Sequence, residues 1–462
     1  MPKFSPKFVI PLLALTMLLT WTVLLMNKEK VLTIPTPAIT LTLTPEIVSN
    51  EFFDDVPLGA GGTTLFNDTF TVGADELVDA HTPDTGTSWT KVYNAEGDDD
   101  LNVNATNDDV RPEALDAGAG AAYSADATYS DTDYQVQFTC KDCGSSDDYV
   151  YGLIRSTGTL AAANGGYVLW DMGDTTTEDP KISVVTGATT CTTLDTYDSG
   201  GAGKTYFPSN AVALFQVVGD ELTAFADNVG LLYIASNRAI TAANKGGMGM
   251  GALPCNNAGD FAGTTTQLLD SFSVTEVAAS STSWSNPTTT GEISNSFTNP
   301  TNAYSSNDTD ATETTVGESQ DYGDFGINLP AGSTVRGVSV RVEGASTASS
   351  WKEIGMEVSN DNGATWSSQL LGRVSTTVDD FLVYGHANYL WGLTWTSTDV
   401  ADTDLRVRIE MNAEESTLSD LEVDHVSVRV YYDPAASTTD TVSKVQIQMG
   451  EVIIKDGEVI IQ

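Results

Sequence analysis

Between residues 51 and 434 short runs of alternating or β-branched side chains recur, and nothing there keeps the 3.6-residue apolar spacing of an amphipathic helix. Tyr134-Gln-Val-Gln-Phe138, Tyr149-Val-Tyr-Gly-Leu-Ile154, Tyr167-Val-Leu-Trp170, Ala213-Leu-Phe-Gln-Val-Val218 and Ser271-Phe-Ser-Val-Thr275 are of this kind. So are Val335-Arg-Gly-Val-Ser-Val-Arg-Val342, Leu405-Arg-Val-Arg-Ile409 and Val423-Asp-His-Val-Ser-Val-Arg-Val430. Period-two alternation sends one side of each strand to a core and the other to water. Many such strands, parted by Gly/Asp/Asn/Ser clusters, predict an all-β chain of β-sandwich (jelly-roll) type.

The chain has 462 residues, enough for several domains. It carries 63 Asp and Glu against 21 Lys and Arg, a net charge of -42, which excludes a binder of nucleic acid or anionic lipid. Three His and four Cys exclude a multi-zinc protein. Hydrophobic residues at 40% exclude a disordered chain. The acidic excess fits solubility by self-repulsion, cation binding in loops, or a salty habitat; composition does not choose among them.

Residues 1–30 read as a signal anchor or signal peptide. Lys3 and Lys7 precede an uncharged run from Phe8 to Met26, just long enough to span a bilayer as a helix, with no Ala-x-Ala pattern after it. Residues 31–50, rich in Thr with Pro35, Pro37 and Pro45, form a stalk. A first β-sandwich is expected over 51–277, a linker over 278–283, a second β-sandwich over 284–434, and a linker with a repetitive β tail over 435–462. In the tail Gly450-Glu-Val-Ile-Ile454 returns as Gly457-Glu-Val-Ile-Ile461, with a turn at Asp456-Gly457. A two-stranded piece so apolar needs a partner. Self-association into a homo-oligomer is the first choice, ahead of packing on its own domain or disorder.

Leu65-Phe-Asn-Asp-Thr-Phe70, the segment His81-Thr-Pro-Asp84-Thr-Gly86-Thr-Ser-Trp89 and Leu268-Leu-Asp-Ser-Phe272 together resemble the concanavalin A-like/laminin G-like jelly-roll families of exported and phage proteins. The resemblance covers about 65–277. It implies that the first and last strands lie side by side, and it is poor for function because the fold hosts lectins, adhesion modules and hydrolases. His81 and Asp84 are better read as a loop hydrogen bond and a turn than as a catalytic pair. No strand of 65–277 carries a Glu-x-Asp-x-x-Glu run, so no catalytic residue is assigned.

Ser359-Asn-Asp361-Asn-Gly363-Ala-Thr-Trp366 matches an Asp-box, S-x-D-x-G-x-x-W, which staples a hairpin. With its surroundings it resembles a jelly-roll module of bacterial surface and phage structural proteins over about 281–433. Asp424-His425 has no nucleophile beside it and is read as strand.

Asp98, Asp99, Asp100 and Asn102 head an acidic stretch that suits Ca²⁺ or a solvated hairpin; Asn307-Asp308-Thr-Asp310 is a second run, ranked behind it. No other cofactor is expected. Tyr149, Tyr151 and Tyr167 are the candidate rings for stacking on sugar, although strand aromatics of this kind more often fill a core and nothing in the sequence says which face is open. Cys140, Cys143, Cys191 and Cys255 read as two disulfides outside the cell, with a slight preference for Cys140–Cys143 and Cys191–Cys255 among three possible pairings. Gly246-Gly-Met-Gly-Met-Gly251 lacks a following helix and reads as a crowded strand. The expectation is a non-catalytic extracellular or cell-surface protein for carbohydrate recognition or adhesion, membrane-anchored or secreted. Its partners are a glycan or cell-surface ligand and no nucleic acid. The alternatives are a structural component of a virion or cell-surface layer, and a polysaccharide hydrolase.

Overall fold

The first sandwich opens and closes on the same pair of strands. β1 (Thr64–Asp68) pairs antiparallel with β16 (Leu268–Glu276), placing Phe66 opposite Val274 and Asp68 opposite Phe272. This is the neighbourhood that the two Asp-x-Phe segments imply. The computed structural model describes residues 62–94, 100–112, 120–126, 133–142, 150–160, 165–170, 180–187, 190–197, 211–235, 245–251, 268–278, 280–348, 350–374, 379–401, 403–414, 420–435, 452–455 and 458–461. They belong to one unit, Pro57–Gln462. The anchor over 1–30, the stalk over 31–50, Asp98, Asp99, Cys143, Tyr149 and Cys255 lie outside the described residues. Among the described residues no helix is long and apolar enough to cross a membrane; they are strands and turns with a single 3-10 turn at Pro300–Ala303.

Between its end strands the first block runs β2 (Glu76–Leu77), β3 (Ser88–Asn94), β4 (Leu101–Asn104), β5 (Asp109–Pro112), β6 (Gly120–Asp126), β7 (Tyr134–Asp142), β8 (Val150–Ser156), β9 (Tyr167–Trp170), β10 (Lys181–Gly187), β11 (Thr190–Thr196), β12 (Ala211–Val218), β13 (Glu221–Ala226), β14 (Val229–Ile234) and β15 (Lys245–Gly251). The second runs β17 (Ser280–Ser281), β18 (Thr289–Asn295), β19 (Ala311–Glu313), β20 (Ser319–Gly323), β21 (Thr334–Ser346), β22 (Lys352–Ser359), β23 (Leu370–Val374), β24 (Asp380–Tyr384), β25 (Arg406–Glu414) and β26 (Leu421–Asp433). β27 (Val452–Lys455) and β28 (Glu458–Ile461) form a hairpin.

A seven-stranded sheet, β11-β10-β9-β8-β15-β6-β3, covers one face of the first block. Phe138 and Val136 from the facing sheet approach Gly152 and Gly246, and all four lie in a dry interior. A five-stranded sheet, β18-β20-β25-β22-β23, does the same for the second block; Tyr384 of β24 donates to the Ile354 carbonyl across the gap at 3.1 Å. Both sandwiches share their other layer. The 14-stranded sheet passes from one block to the other where β14 pairs with β24, Val229 opposite Tyr384 and Gly230 opposite Val383. Strand content therefore divides near residue 280, but the sheet does not.

The seam has a core of its own. Leu214, Phe225, Tyr233 and Val383 pack together beneath Trp284 and Phe381. Arg341 stacks on Trp284 at 4.6 Å and Phe381 at 5.0 Å, and Arg429 stacks on Trp284 at 4.5 Å. Arg429 forks onto Glu221 of the first block with bonds of 2.5 and 2.8 Å. Planar guanidinium suits both the ring faces and the carboxylate, so the buried Arg429 and half-buried Arg341 are held by ring faces and by Glu221.

Candidate functional site

The face with the most developed surface chemistry is the outer side of the five-stranded sheet. In β22 Ile354, Met356 and Val358 are fully buried in the core. Alternation therefore sends Glu353, Gly355 and Glu357 outward. Register puts Glu353 opposite Arg373 of β23 and Glu357 opposite Arg408 of β25. Arg373 donates to Glu353 through Nε at 3.0 Å and Nη2 at 2.9 Å, and Asn412 donates to the other oxygen at 2.7 Å. Arg408 donates to Glu357 through Nε at 2.7 Å. Trp351 lies on the Arg373 guanidinium at 4.2 Å and Trp366 on that of Arg408 at 4.3 Å. Both indoles are half-buried. The face thus carries two copies of one stack: indole, guanidinium, carboxylate.

Between the stacks Gly355 is covered by a neighbouring side chain. A Cβ on Gly355 would sit 2.3 Å from the Gln369 amide, which donates to Glu410 at 3.3 Å. Leu371, opposite Gly355, is 46% exposed. The loop that delivers Trp366 is built by local chemistry. Asp361 accepts from the Thr365 amide at 2.8 Å and hydroxyl at 2.7 Å, while Gly363 takes φ 78. The Thr365 amide, then its hydroxyl and Ser359, hold the Asp361 carboxyl below its ordinary pKa.

A second constellation lies on the large sheet. Asp308, Asp379 and Asp424 bring carboxylate oxygens within 4.8 Å of one another. Asp424 is fully buried and accepts the Asn307 and Thr309 amides at 2.9 and 3.0 Å. Burial and then the neighbouring carboxylates push Asp310, Asp379 and Glu422 up; burial does the same to Glu343, with Asp424 and Asp379 adding to it. Asp310 Oδ1 and Glu343 Oε2 are buried without a hydrogen-bond partner. Carboxylate oxygens from two loops and strand β26, gathered in this way, are the kind of donor a hard divalent cation takes.

The sites expected from sequence fare differently. Asp100 binds Lys91 and the Tyr123 hydroxyl, at 2.8 Å from the latter, so its carboxylate serves a strand pair; Asn102 lies on β4. With Asp98 and Asp99 outside the described residues, the first acidic run forms no ligand cluster among the described ones, whereas Asp308 of the run ranked second joins one with Asp379 and Asp424. Tyr151 and Tyr167 are a correction. Tyr151 is fully buried on the outer side of the seven-stranded sheet, its ring lying where a Gly249 side chain would be, 2.1 Å from that Cβ position. Tyr167 is fully buried in the main core, on the opposite face. Neither presents a ring to solvent, because each fills the space that a strand glycine or the sandwich interior leaves. Cys191 is disulfide-bonded, to a partner outside the described side chains, which exclude Cys140 as well.

His81 does not pair with Asp84. Its ring nitrogens meet Asp68 at 2.9 Å and Glu76 at 2.8 Å, while Asp84 takes the Thr69 amide and hydroxyl. His425 meets Asn286 at 2.9 Å, and burial followed by the Arg341 charge pushes it down to about 4. Asp109 and Asp270 each stand 3.6 Å from the Lys141 ammonium. Both carboxylates are thus shared by one cation.

Sequence reasoning missed Trp351, Arg373, Glu353, Glu357 and Asp379. Alternation in Arg406-Val-Arg408-Ile-Glu410 did signal a polar outer face. Asp379 has no local signal, since its partners come from 308 and 424.

The chain matches no known protein family and no curated protein. Solved structures that it resembles include a β-1,3-glucanase from Mycobacterium marinum, at 13% identity over 46% of this chain and 99% of that one, TM-score 0.30. An endo-β-1,3-glucanase from Pyrococcus furiosus follows at 11% identity, 46% and 94% coverage, TM-score 0.29. The carbohydrate-binding module CBM66 from Bacillus subtilis resembles it at 11% identity, 41% and 95% coverage, TM-score 0.26. These values are too low to carry an activity across.

Proposed function

We propose that this chain is a non-catalytic carbohydrate-binding protein that makes its contact through the outer face of the five-stranded sheet. The observation that carries the reading is the doubled indole–guanidinium–carboxylate stack. A sugar ring offers an apolar C–H face and a rim of hydroxyls. Indole suits the first; ion-paired Arg and Glu, which keep spare donors and lone pairs, suit the second. Each is already oriented by its partner, so less freedom is lost on binding. Recognition without turnover is the reading taken because Glu353 and Glu357 are each tied to a guanidinium, so neither of these two is free to serve as acid or base.

The proposed setting is extracellular or on a cell surface, where the charge of -42 keeps the chain soluble and the apolar run at 8–26 serves as export signal or anchor. Calcium is the proposed ion for Asp308, Asp379 and Asp424. The β27–β28 hairpin, a separate sheet with Val and Ile at successive positions, is the proposed contact between copies and multiplies weak binding. That hairpin also supports the second reading, a structural component of a virion or cell-surface layer.

A glycan array probed with the full chain tests the proposal. Retention of neutral glycans, lost in Trp366→Ala at an unchanged melting temperature, is the expected result. Binding to no glycan, with a size that falls when 441–462 are removed, favours the structural reading. Release of sugar from a retained polymer defeats the non-catalytic part.

A further inference from the structure

We infer that the ligand is a linear, uncharged polysaccharide lying along β22, with one ring on Trp351 and a later one on Trp366; this rests on the recognition reading above and adds chain length, direction and charge to it. The two stacks meet on β22 through their carboxylates, with Arg373 on β23 to one side and Arg408 on β25 to the other. Their carboxylates, Glu353 and Glu357, are four residues apart on the same face, which sets them ~13 Å apart along the strand. A ligand running across the strands would meet one stack only. A ligand running with β22 meets both.

The surface between them fits such a chain. Gly355 carries no side chain, so the Gln369 amide takes the place between the stacks and gives that stretch a planar polar floor. Leu371 stays 46% exposed beside that floor. At the far end Ile293, 47% exposed, converges with Trp366 on Gly363. Two of the three exposed large hydrophobics among the described residues therefore border this one face, where a C–H-rich ligand would cover them.

Charge fixes the class. Arg373, Arg408 and Arg406 are paired with Glu353, Glu357 and Glu292, so none of these three guanidinium groups is left to attract an anion. Glu410 adds a further carboxylate, which accepts from the Gln369 amide. An acidic polysaccharide would meet net repulsion on a chain already at -42. Neutral hydroxyls exchange water for amide, guanidinium and carboxylate partners without that cost.

The experiment is calorimetric titration of the full chain with a ladder of neutral β-glucan oligosaccharides, from disaccharide upward, beside an acidic ladder of polygalacturonate. Affinity is expected to rise roughly tenfold or more at the length that first bridges both indoles. Trp351→Ala and Trp366→Ala should each return long oligosaccharides to the short-chain value, and Arg373→Lys, which keeps the charge but loses the fork, should weaken only the long ones. Flat dependence on length, or preference for the acidic ladder, overturns the inference while leaving recognition standing. Failure to bind either ladder or any array glycan removes both.

Discussion

Asp68 shows how one residue can organise a block. It is fully buried and accepts from Trp89 Nε1 at 2.6 Å and the Phe70 amide at 2.8 Å, with His81 at 2.9 Å. Trp89 in turn packs edge-on against Phe66 and Phe272, so the carboxylate fixes the aromatic heart of the sandwich. Removing it should cost roughly 3–5 kcal/mol, as for other buried charged partners. The histidines give a signed pH dependence. Burial alone would lower His81, but bonds to Asp68 and Glu76 outweigh it and raise its pKa. Its contribution is complete below the unfolded value and lost as pH climbs through the raised one. His386 is the opposite: burial pushes it down to about 3. The unfolded chain then takes the proton first, and stability falls by roughly 1.4 kcal/mol for each pH unit below about 6.5. Urea melts should show a maximum near neutrality. His81→Gln should flatten the alkaline limb and His386→Leu the acid limb; unchanged limbs would refute the assignment. His81 was legible as structural from its place in a turn, but its partners were not, because Asp68 and Glu76 come close only once β1 and β2 are placed.

Strands were the legible elements. Val423 to Val430 and Val335 to Val342 alternate because β26 and β21 each face a core on one side, and both appear with that register. Edges were not legible. Pairing of β14 with β24 uses backbone groups, which every residue carries, so sequence shows two blocks where the sheet is continuous. Trp351 was missed, and Trp366 was read only as a hairpin staple, for a related reason: alternation tells which side a residue is on, and only packing tells whether that side is covered. Tyr151 stayed a candidate ligand contact beside its core reading on the same ground, since nothing in its strand reveals the glycine beneath it. The seam has its own test. Arg429 and Glu221 form a largely buried, forked pair between blocks, and leaving Arg429 unpartnered should cost several kcal/mol, roughly 3–5. Glu221→Gln should lower the calorimetric midpoint and split one transition into two, as each sandwich melts without the other's support. A single transition at the original midpoint would show that backbone pairing alone holds the seam.

Over the whole molecule, repulsion between like charges outweighs the local ion pairs. A chain at -42 gains stability when salt screens its charges, and where carboxylates are also buried the gain is local. Asp310, Asp379, Glu343 and Glu422 all sit above their ordinary pKa, so at neutral pH they oppose folding, and falling pH relieves them. A divalent cation would relieve them without protonation. Calcium at a hundredfold excess over its Kd should add about 2.7 kcal/mol, beyond what sodium at matched ionic strength provides. Asp379→Asn separates a site from mere screening. In chelator it should melt higher than the parent, because one repelling charge is gone. With calcium it should melt lower, because a ligand is gone. That reversal of order is the signature of a site; a variant that stays above the parent in both conditions would mean the three carboxylates are only crowded. Neither acidic run could be ranked by composition alone, since Asp308 reaches Asp379 and Asp424 through the fold while Asp100 is consumed by Lys91.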